Sequence, residues 1–140
     1  MRAVLDPNVI ISGLLSPSGN AAWLLRAWEQ GEFELVASRA LLEELERALA
    51  YPKLRRRIPE TDAVAVLQSL SESGTIADDS AASTPIRSAD PGDDYLIGLA
   101  ESQRAILVSG DQDLLDLANE IPVLSPAQFR DQLLKLDAGK

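Results

Sequence analysis

The order of short apolar runs and amphipathic segments constrains the fold more than any other feature of the sequence. Five runs have the length and composition of short strands, and segments of helical period lie between them. Consecutive parallel strands need such crossover helices, whereas antiparallel strands can be joined by tight turns. The pattern therefore predicts a mostly parallel sheet covered by helices on both faces. The predicted strands are residues 3–5, 33–37, 75–77, 105–108 and 121–124.

Capping residues set the expected bounds of the helices. Gly31 and Gly74 are placed as C-terminal stops, and Ser38 and Ser125 as N-caps. Residues 79–89 are small and polar and are predicted to form a loop within a single domain that spans residues 1–140. Two of the predicted helices begin near Asp93 and Asp111, and the others are residues 8–15, 21–30, 39–51, 60–72 and 126–136.

Acidic residues follow two of the predicted strands. Asp6 ends the first run, and Pro7 suits the first position of a helix because its missing N–H is not needed there. Asp111 follows the fourth strand, and open parallel sheets bind their ligands at the carboxyl ends of strands. Asn8 and Ser12 lie four residues apart on the same helix face, near Asp6. Asp6 suits a helix N-cap equally well, so its role depends on other acids directed to the same edge.

Helical periodicity distinguishes the inward acids from the solvent-facing ones. Glu43 lies nearly opposite the leucine stripe of its helix, whereas Glu44 lies on the flank of the stripe and can reach a cleft. Asp93 shares the buried face of the following helix, and Asp94 points away from it. Asp111 has apolar residues three and seven positions later, so it also faces inward. Buried carboxylates must be paired, hydrogen-bonded or metal-bound, which makes these acids candidates for a site.

Composition restricts the chemistry of such a site. The 140 residues contain no cysteine and no histidine, so thiolate nucleophiles, histidine general bases and imidazole metal sites are excluded. Carboxylates alone suit hard ions such as Mg²⁺ or Mn²⁺. The sequence shows neither an apolar stretch long enough to span a bilayer nor a secretory leader, so a cytoplasmic protein without membrane contact is expected.

The only basic cluster follows the third predicted helix. A net charge of −9 is unfavourable for binding to a phosphate backbone, but less so if some of the acids are concentrated in a site and neutralised by divalent cations. The cluster can track phosphates, contact an acidic partner or simply be solvated. It consists of Lys53, Arg55, Arg56 and Arg57.

Five stretches of the sequence, which contain the acids described above, together resemble the PIN domain family, in particular its single-domain toxins of toxin–antitoxin systems. Each stretch is weak alone, but together they occur in the order of the family and span nearly the whole chain. They are residues 4–12, residues 38–49 with Glu44, residues 90–93 with Ala100, residues 109–115, and residues 124–126 with Phe129.

The resemblance implies a three-layer α/β/α sandwich with a mostly parallel central sheet, and a metal-dependent endoribonuclease that acts as the toxin of a toxin–antitoxin pair. It also implies Mg²⁺ or Mn²⁺ as cofactor, RNA as substrate, an antitoxin partner and a homodimer. Ser109 stands where threonine is commoner in the family, and both keep a hydroxyl. By position, the acidic quartet is Asp6, Glu44, Asp93 and Asp111, and the accessory polar residues are Asn8, Ser12, Ser109 and Asp113.

Two other functions compete with this hypothesis. The acidic charge and single basic cluster are also compatible with a PIN-like RNA-binding or protein-interaction module that does not cut. A phosphoacceptor regulatory domain also gathers aspartates around Mg²⁺ at strand ends, but such domains usually carry a lysine after a late strand. The three lysines, Lys53, Lys135 and Lys140, do not lie there.

Overall fold

The computed structural model describes residues 1–79 and 91–139. The first half of the chain places two strands and five helices before a third strand. In order, these elements are β1 (Arg2–Leu5), α1 (Pro7–Leu15), α2 (Asn20–Glu29), β2 (Glu34–Ser38), α3 (Arg39–Leu49), α4 (Pro52–Arg55), α5 (Glu60–Ser73) and β3 (Thr75–Ala77). After a 3₁₀ turn at Pro91–Asp93, the chain continues with α6 (Asp94–Ser102), β4 (Ile106–Val108), α7 (Gln112–Leu115), β5 (Val123–Leu124) and α8 (Pro126–Ala138).

The five strands form one parallel sheet in the order β3-β2-β1-β4-β5. The chain builds outward from β1 to β3 on one side and then crosses to β4 on the other. The topological switch point, where open α/β sheets bind ligands, therefore lies between β1 and β4. Leu5 is in register with Val108 at the end of these two strands, and the backbone N–H of Asp6 donates to the carbonyl of Val108 at 2.9 Å.

Burial shows that helices cover both faces of the sheet. Ala3, Val4 and Leu5 are completely buried although successive side chains of a strand point to opposite faces. The predicted α/β/α arrangement with a parallel sheet is thus confirmed. Phe129 of α8 is fully buried and packs edge-to-face on Phe33, with ring centroids 5.2 Å apart. This contact anchors the last helix to the start of β2.

Several predicted bounds differ from the structure. The turn after α3 contains the additional helix α4, which begins at Pro52 because proline suits a first helical position. The helix expected from Asp111 to about Ala118 ends at Leu115, and residues 116–120 form turns that lead to Pro122, a residue that disfavours helix before it. Gly31 has a φ of 77° just after α2, as expected for a helix stop.

The predicted loop at residues 79–89 lies outside the described residues except for Asp79. The Asp79 carboxylate accepts the backbone N–H of Ala40 at 2.9 Å, in the first turn of α3. Within residues 1–79 and 91–139, no helix has the length and apolar character needed to cross a membrane.

Candidate active site

Asp6 lies at the end of β1, at the switch point of the sheet. It is the N-cap of α1, and its Oδ1 accepts the backbone N–H of Asn8 at 3.0 Å. Its Oδ2 accepts the hydroxyl of Ser109 at 2.8 Å. The side chain is only 4% exposed, and this burial raises the pKa of Asp6 above its usual value, against the two hydrogen bonds that lower it. The charges of Glu44 and Asp111 raise this pKa further.

The segment after β4 repeats this arrangement. Asp111 is the N-cap of α7, and its Oδ1 accepts the backbone N–H of Asp113 at 3.0 Å. Ser109 is fully buried, and its Oγ accepts the backbone N–H of Asp111 at 3.0 Å while it donates to Asp6. One hydroxyl therefore connects the ends of the two central strands. Asp113 contributes its backbone N–H to this arrangement.

An open cavity lies in front of these residues and is here called the acid cavity. It has a volume of about 400 Å³ and is lined by Asp6, Asn8, Ser12 and Asp111, among others. Asn8 and Ser12 lie on the exposed side of α1, as the four-residue spacing predicts. Ser109 lies behind Asp6 and supports it.

Glu44 of α3 is held by a tyrosine from another part of the chain. The phenol of Tyr95, in the first turn of α6, donates to the Glu44 carboxylate. Burial raises the pKa of Tyr95, and the hydrogen bond to Glu44 and the charges of Glu44, Asp6 and Asp93 raise it further. The phenol therefore stays protonated and acts as a donor. Glu43 instead pairs with Arg39 at 3.0 Å on the solvent side of α3, as the helical period predicts.

Asp93 is the N-cap residue of α6 and is partly buried. Its Oδ2 is buried, and its charge acts on Tyr95. Asp94 is also partly buried and begins α6. The predicted difference between Asp93 and Asp94 is therefore not seen in their burial. The charge of Asp93 raises the pKa of Tyr95, a residue that was not among the predicted site residues. Its only signal in the sequence is an aromatic side chain with a polar end, two residues after an inward acid.

The acids approach one another without forming a complete metal cage. In the part of the chain that the structure describes, no three acidic side chains lie close enough together to hold a metal ion. The Tyr95 phenol occupies the Glu44 carboxylate. The donor set nevertheless fits a hard divalent cation, because a buried carboxylate with two acidic neighbours is stabilised by positive charge.

A second cavity, lined by residues of α3 and α6, is here called the α3–α6 groove. It has a volume of about 560 Å³ and is lined by Glu44, Arg47, Tyr51 and Tyr95, among others. Glu44 lines this groove, and its charge raises the pKa of Asp6, which lines the acid cavity. The predicted basic cluster lies in α4 and just after it, and none of its residues lines the acid cavity.

Comparison with known proteins assigns the chain to a family. The chain is 28% identical over 121 residues to the uncharacterized protein MJ1680 of Methanocaldococcus jannaschii, covering 86% of this chain and 77% of that protein. Three solved structures share its fold. VapBC2 from Rickettsia felis, bound to a DNA fragment from its promoter, has a TM-score of 0.62 and 15% identity and covers 89% of this chain and 98% of its own.

Two further solved structures resemble this chain to a comparable degree in fold and in sequence identity. FitAB bound to the IR36 DNA fragment has a TM-score of 0.57 and 17% identity, over 89% of this chain and 94% of its own. FitAcB from Neisseria gonorrhoeae has a TM-score of 0.53 and 18% identity, over 89% and 97%. A PIN domain family model matches residues 2–113, a range that contains all four predicted acids. This chain therefore belongs to the PIN domain family.

Proposed function

We propose that the protein is a divalent-metal-dependent endoribonuclease. The observation that carries the proposal is the meeting of Asp6, Ser109 and Asp111 at the switch point of the sheet, with Glu44 near enough to raise the pKa of Asp6. This arrangement places negative charge around an open cavity without any neutralising side chain from the basic cluster. A divalent cation is the natural counter-charge.

The carboxylates of Asp6, Glu44, Asp93 and Asp111 would hold Mg²⁺ or Mn²⁺. When bound, the cation would lower the pKa of a water and stabilise the leaving oxygen of a phosphodiester. Ser109 keeps Asp6 oriented towards the cavity, and the Tyr95 phenol keeps Glu44 in place. The exposed Asn8 and Ser12 can donate hydrogen bonds to a substrate in the acid cavity, and Asp113 supports Asp111 through its backbone.

The biological role that we propose is that of a toxin restrained by an antitoxin. It rests on the resemblance in the sequence and on the similar folds of VapBC2 and FitAB. A homodimer remains a prediction of the same resemblance, and a cytoplasmic location remains a separate prediction from the sequence. Lys53 and Arg55 to Arg57 are proposed to hold the RNA backbone.

The decisive experiment combines a cleavage assay with a metal titration. Purified protein should cut total RNA in Mg²⁺ or Mn²⁺ and stop in EDTA, and Asp6→Asn should abolish cleavage. Glu43→Gln is the matched control for Glu44→Gln, because Glu43 pairs with Arg39 outside the site. Mn²⁺ at about 100 times its Kd should stabilise the wild type by about 2.7 kcal/mol, and this effect should disappear in Asp6→Asn.

A non-catalytic RNA-binding module is the second candidate. It is favoured by the lack, among the described residues, of three acids already at metal-binding separation. This candidate predicts RNA binding without cleavage and no thermal shift with Mn²⁺. Intact RNA together with an unchanged melting temperature would therefore favour the module and refute the nuclease.

A further inference from the structure

The α3–α6 groove has features that the proposed cleavage chemistry does not use. Its volume of about 560 Å³ is in the range of small-molecule sites. Its lining includes the proposed metal ligand Glu44 and its hydrogen-bond partner Tyr95, and also Arg47 and Tyr51. The groove therefore contains a carboxylate, a cationic side chain and an accessible aromatic ring.

Tyr51 is exposed without a packing reason. Its side chain is 65% exposed, more than any other large apolar side chain within the described residues. The backbone beneath it is well held, because its N–H donates to Ala48 at 3.2 Å and its carbonyl accepts from Leu54 and Arg55 at 3.0 and 2.9 Å. Pro52 restricts Tyr51 to an extended conformation. A fixed turn thus presents an aromatic face at the groove.

One cationic side chain lines the groove together with this ring, and further cationic residues follow it along the chain. Arg47 is exposed and lines the groove, and it makes no ion pair with the residues that the structure describes. Lys53, Arg56 and Arg57 follow along the chain and are also exposed. Of the basic cluster, Arg55 differs in that it forms an ion pair, with its guanidinium 3.5 Å from the Glu60 carboxylate. In a chain of net charge −9 this is a local surface suited to phosphates.

We propose that the α3–α6 groove is a subsite for an unpaired nucleotide of single-stranded RNA. The Tyr51 ring stacks on the base, and Arg47 contacts a phosphate of the strand that continues towards the acid cavity. Single strands can offer an unstacked base to an aromatic ring, whereas the bases of a duplex are already stacked and paired. The inference rests on the proposed function and extends it by assigning a base-stacking residue and a phosphate contact outside the acid cavity.

Binding is measured by fluorescence anisotropy with a labelled single-stranded RNA and the same sequence as a duplex. Ca²⁺ replaces Mg²⁺, and gel analysis confirms that the RNA stays intact. Wild type should bind the single strand more tightly, and Tyr51→Ala should weaken that binding by about 5- to 150-fold, as for loss of one stacked base. Tyr51→Phe keeps the ring and should bind like wild type. Circular dichroism verifies that the variants are folded.

A charge-matched pair tests the phosphate contact. Arg47→Ala should weaken binding. It should also reduce the magnitude of the slope of log K against the logarithm of the salt concentration by about 0.7. Arg39→Ala removes the same charge from α3 but from a residue paired with Glu43, and it should have no such effect. Equal affinity of wild type and Tyr51→Ala, a preference for duplex, or no measurable binding by wild type would overturn the subsite.

Cleavage kinetics separate this inference from the proposed function. If the subsite exists, Tyr51→Ala raises KM and leaves kcat close to wild type, because Tyr51 lies outside the proposed metal site. Metal-dependent cleavage with an unchanged KM in Tyr51→Ala overturns the subsite alone. Selective binding of single strands through Tyr51, without cleavage by wild type, supports the subsite and refutes the nuclease.

Discussion

The hydroxyl of Ser109 offers a direct test of how the site is held together. Ser109→Ala removes the donor to Asp6 Oδ2 and the acceptor of the Asp111 N–H, at distances of 2.8 and 3.0 Å. Ser109 is fully buried, so water cannot easily replace its hydroxyl beside Asp6. The variant should therefore leave a buried carboxylate with one hydrogen bond fewer.

The expected cost follows from the kind of hydrogen bond that is lost. A hydrogen bond to a charged group contributes roughly 1.5–3 kcal/mol and a neutral one about 1 kcal/mol. Because Asp111 is partly exposed, water compensates part of the second loss. We expect a decrease of about 2–3 kcal/mol in the free energy of unfolding at pH 7. At about 0.3 kcal/mol/K for a chain of 140 residues, the melting temperature should fall by about 7–10 °C.

The cost should depend on pH, because the Ser109 hydrogen bond lowers the pKa of Asp6 against the stronger effect of burial. Its loss raises the folded-state pKa further. A folded-state pKa above the unfolded value means that stability falls as pH rises between the two values. The full difference between variant and wild type is therefore present above the folded-state pKa of the variant. It falls to the cost of a neutral hydrogen bond below the folded-state pKa of the wild type, where Asp6 is protonated in both proteins.

Urea titrations without metal, at pH 7 and at lower pH, measure these differences. Ser125→Ala is the matched control, because it removes the neutral capping hydrogen bond to the Gln128 N–H of α8 and should cost about 1 kcal/mol at either pH. In an Asp6→Asn background the cost of Ser109→Ala should also fall to about 1 kcal/mol. Equal, pH-independent costs at Ser109 and Ser125 would refute the charge-assisted role of Ser109.

Three other substitutions test separate parts of the structure. Tyr95→Phe removes the donor to Glu44 and should lower kcat for RNA cleavage about 10- to 100-fold with little change in KM; faster cleavage would mean that the phenol holds Glu44 away from the metal. Asp93→Asn should reduce cleavage by about 100-fold or more, whereas Asp94→Asn should stay close to wild type; the reverse order would assign the role to Asp94. Gly13→Val should lower the free energy of unfolding in urea by about 1–3 kcal/mol, because a Cβ there lies 2.6 Å from a leucine side chain of α2; an unchanged stability would show that α1 and α2 can separate without cost.

Local rules were sufficient for the residues whose neighbours are close in the chain. Asp6 and Asp111 each accept the backbone N–H of the residue two positions later. An aspartate at the end of a strand therefore indicates that the helix after it has an N-cap. The period of α3 correctly placed Glu43 in solvent, because that choice depends only on the rotation per residue. The capping residues predicted where helices begin and end for the same reason.

Contacts between distant segments were not accessible in this way. Tyr95 and Glu44 are 51 residues apart and meet only through the folded arrangement of α3 and α6. The helix α4 was also missed, because four residues carry too little periodicity to be recognised. The position of Tyr51 beside Arg47 and Glu44 likewise emerges only in the folded chain.

The sequence by itself determined the alternation of strands and helices, the chemistry available without cysteine or histidine, and the exposure of Glu43. These properties follow from side-chain type and from spacing over a few residues. Only the tertiary structure decided the order β3-β2-β1-β4-β5, which brings the ends of β1 and β4 together around one serine hydroxyl. Strand order depends on how the whole core packs, and many orders satisfy the same local pattern. The packing of the core therefore fixes the strand order that brings Asp6, Ser109 and Asp111 together.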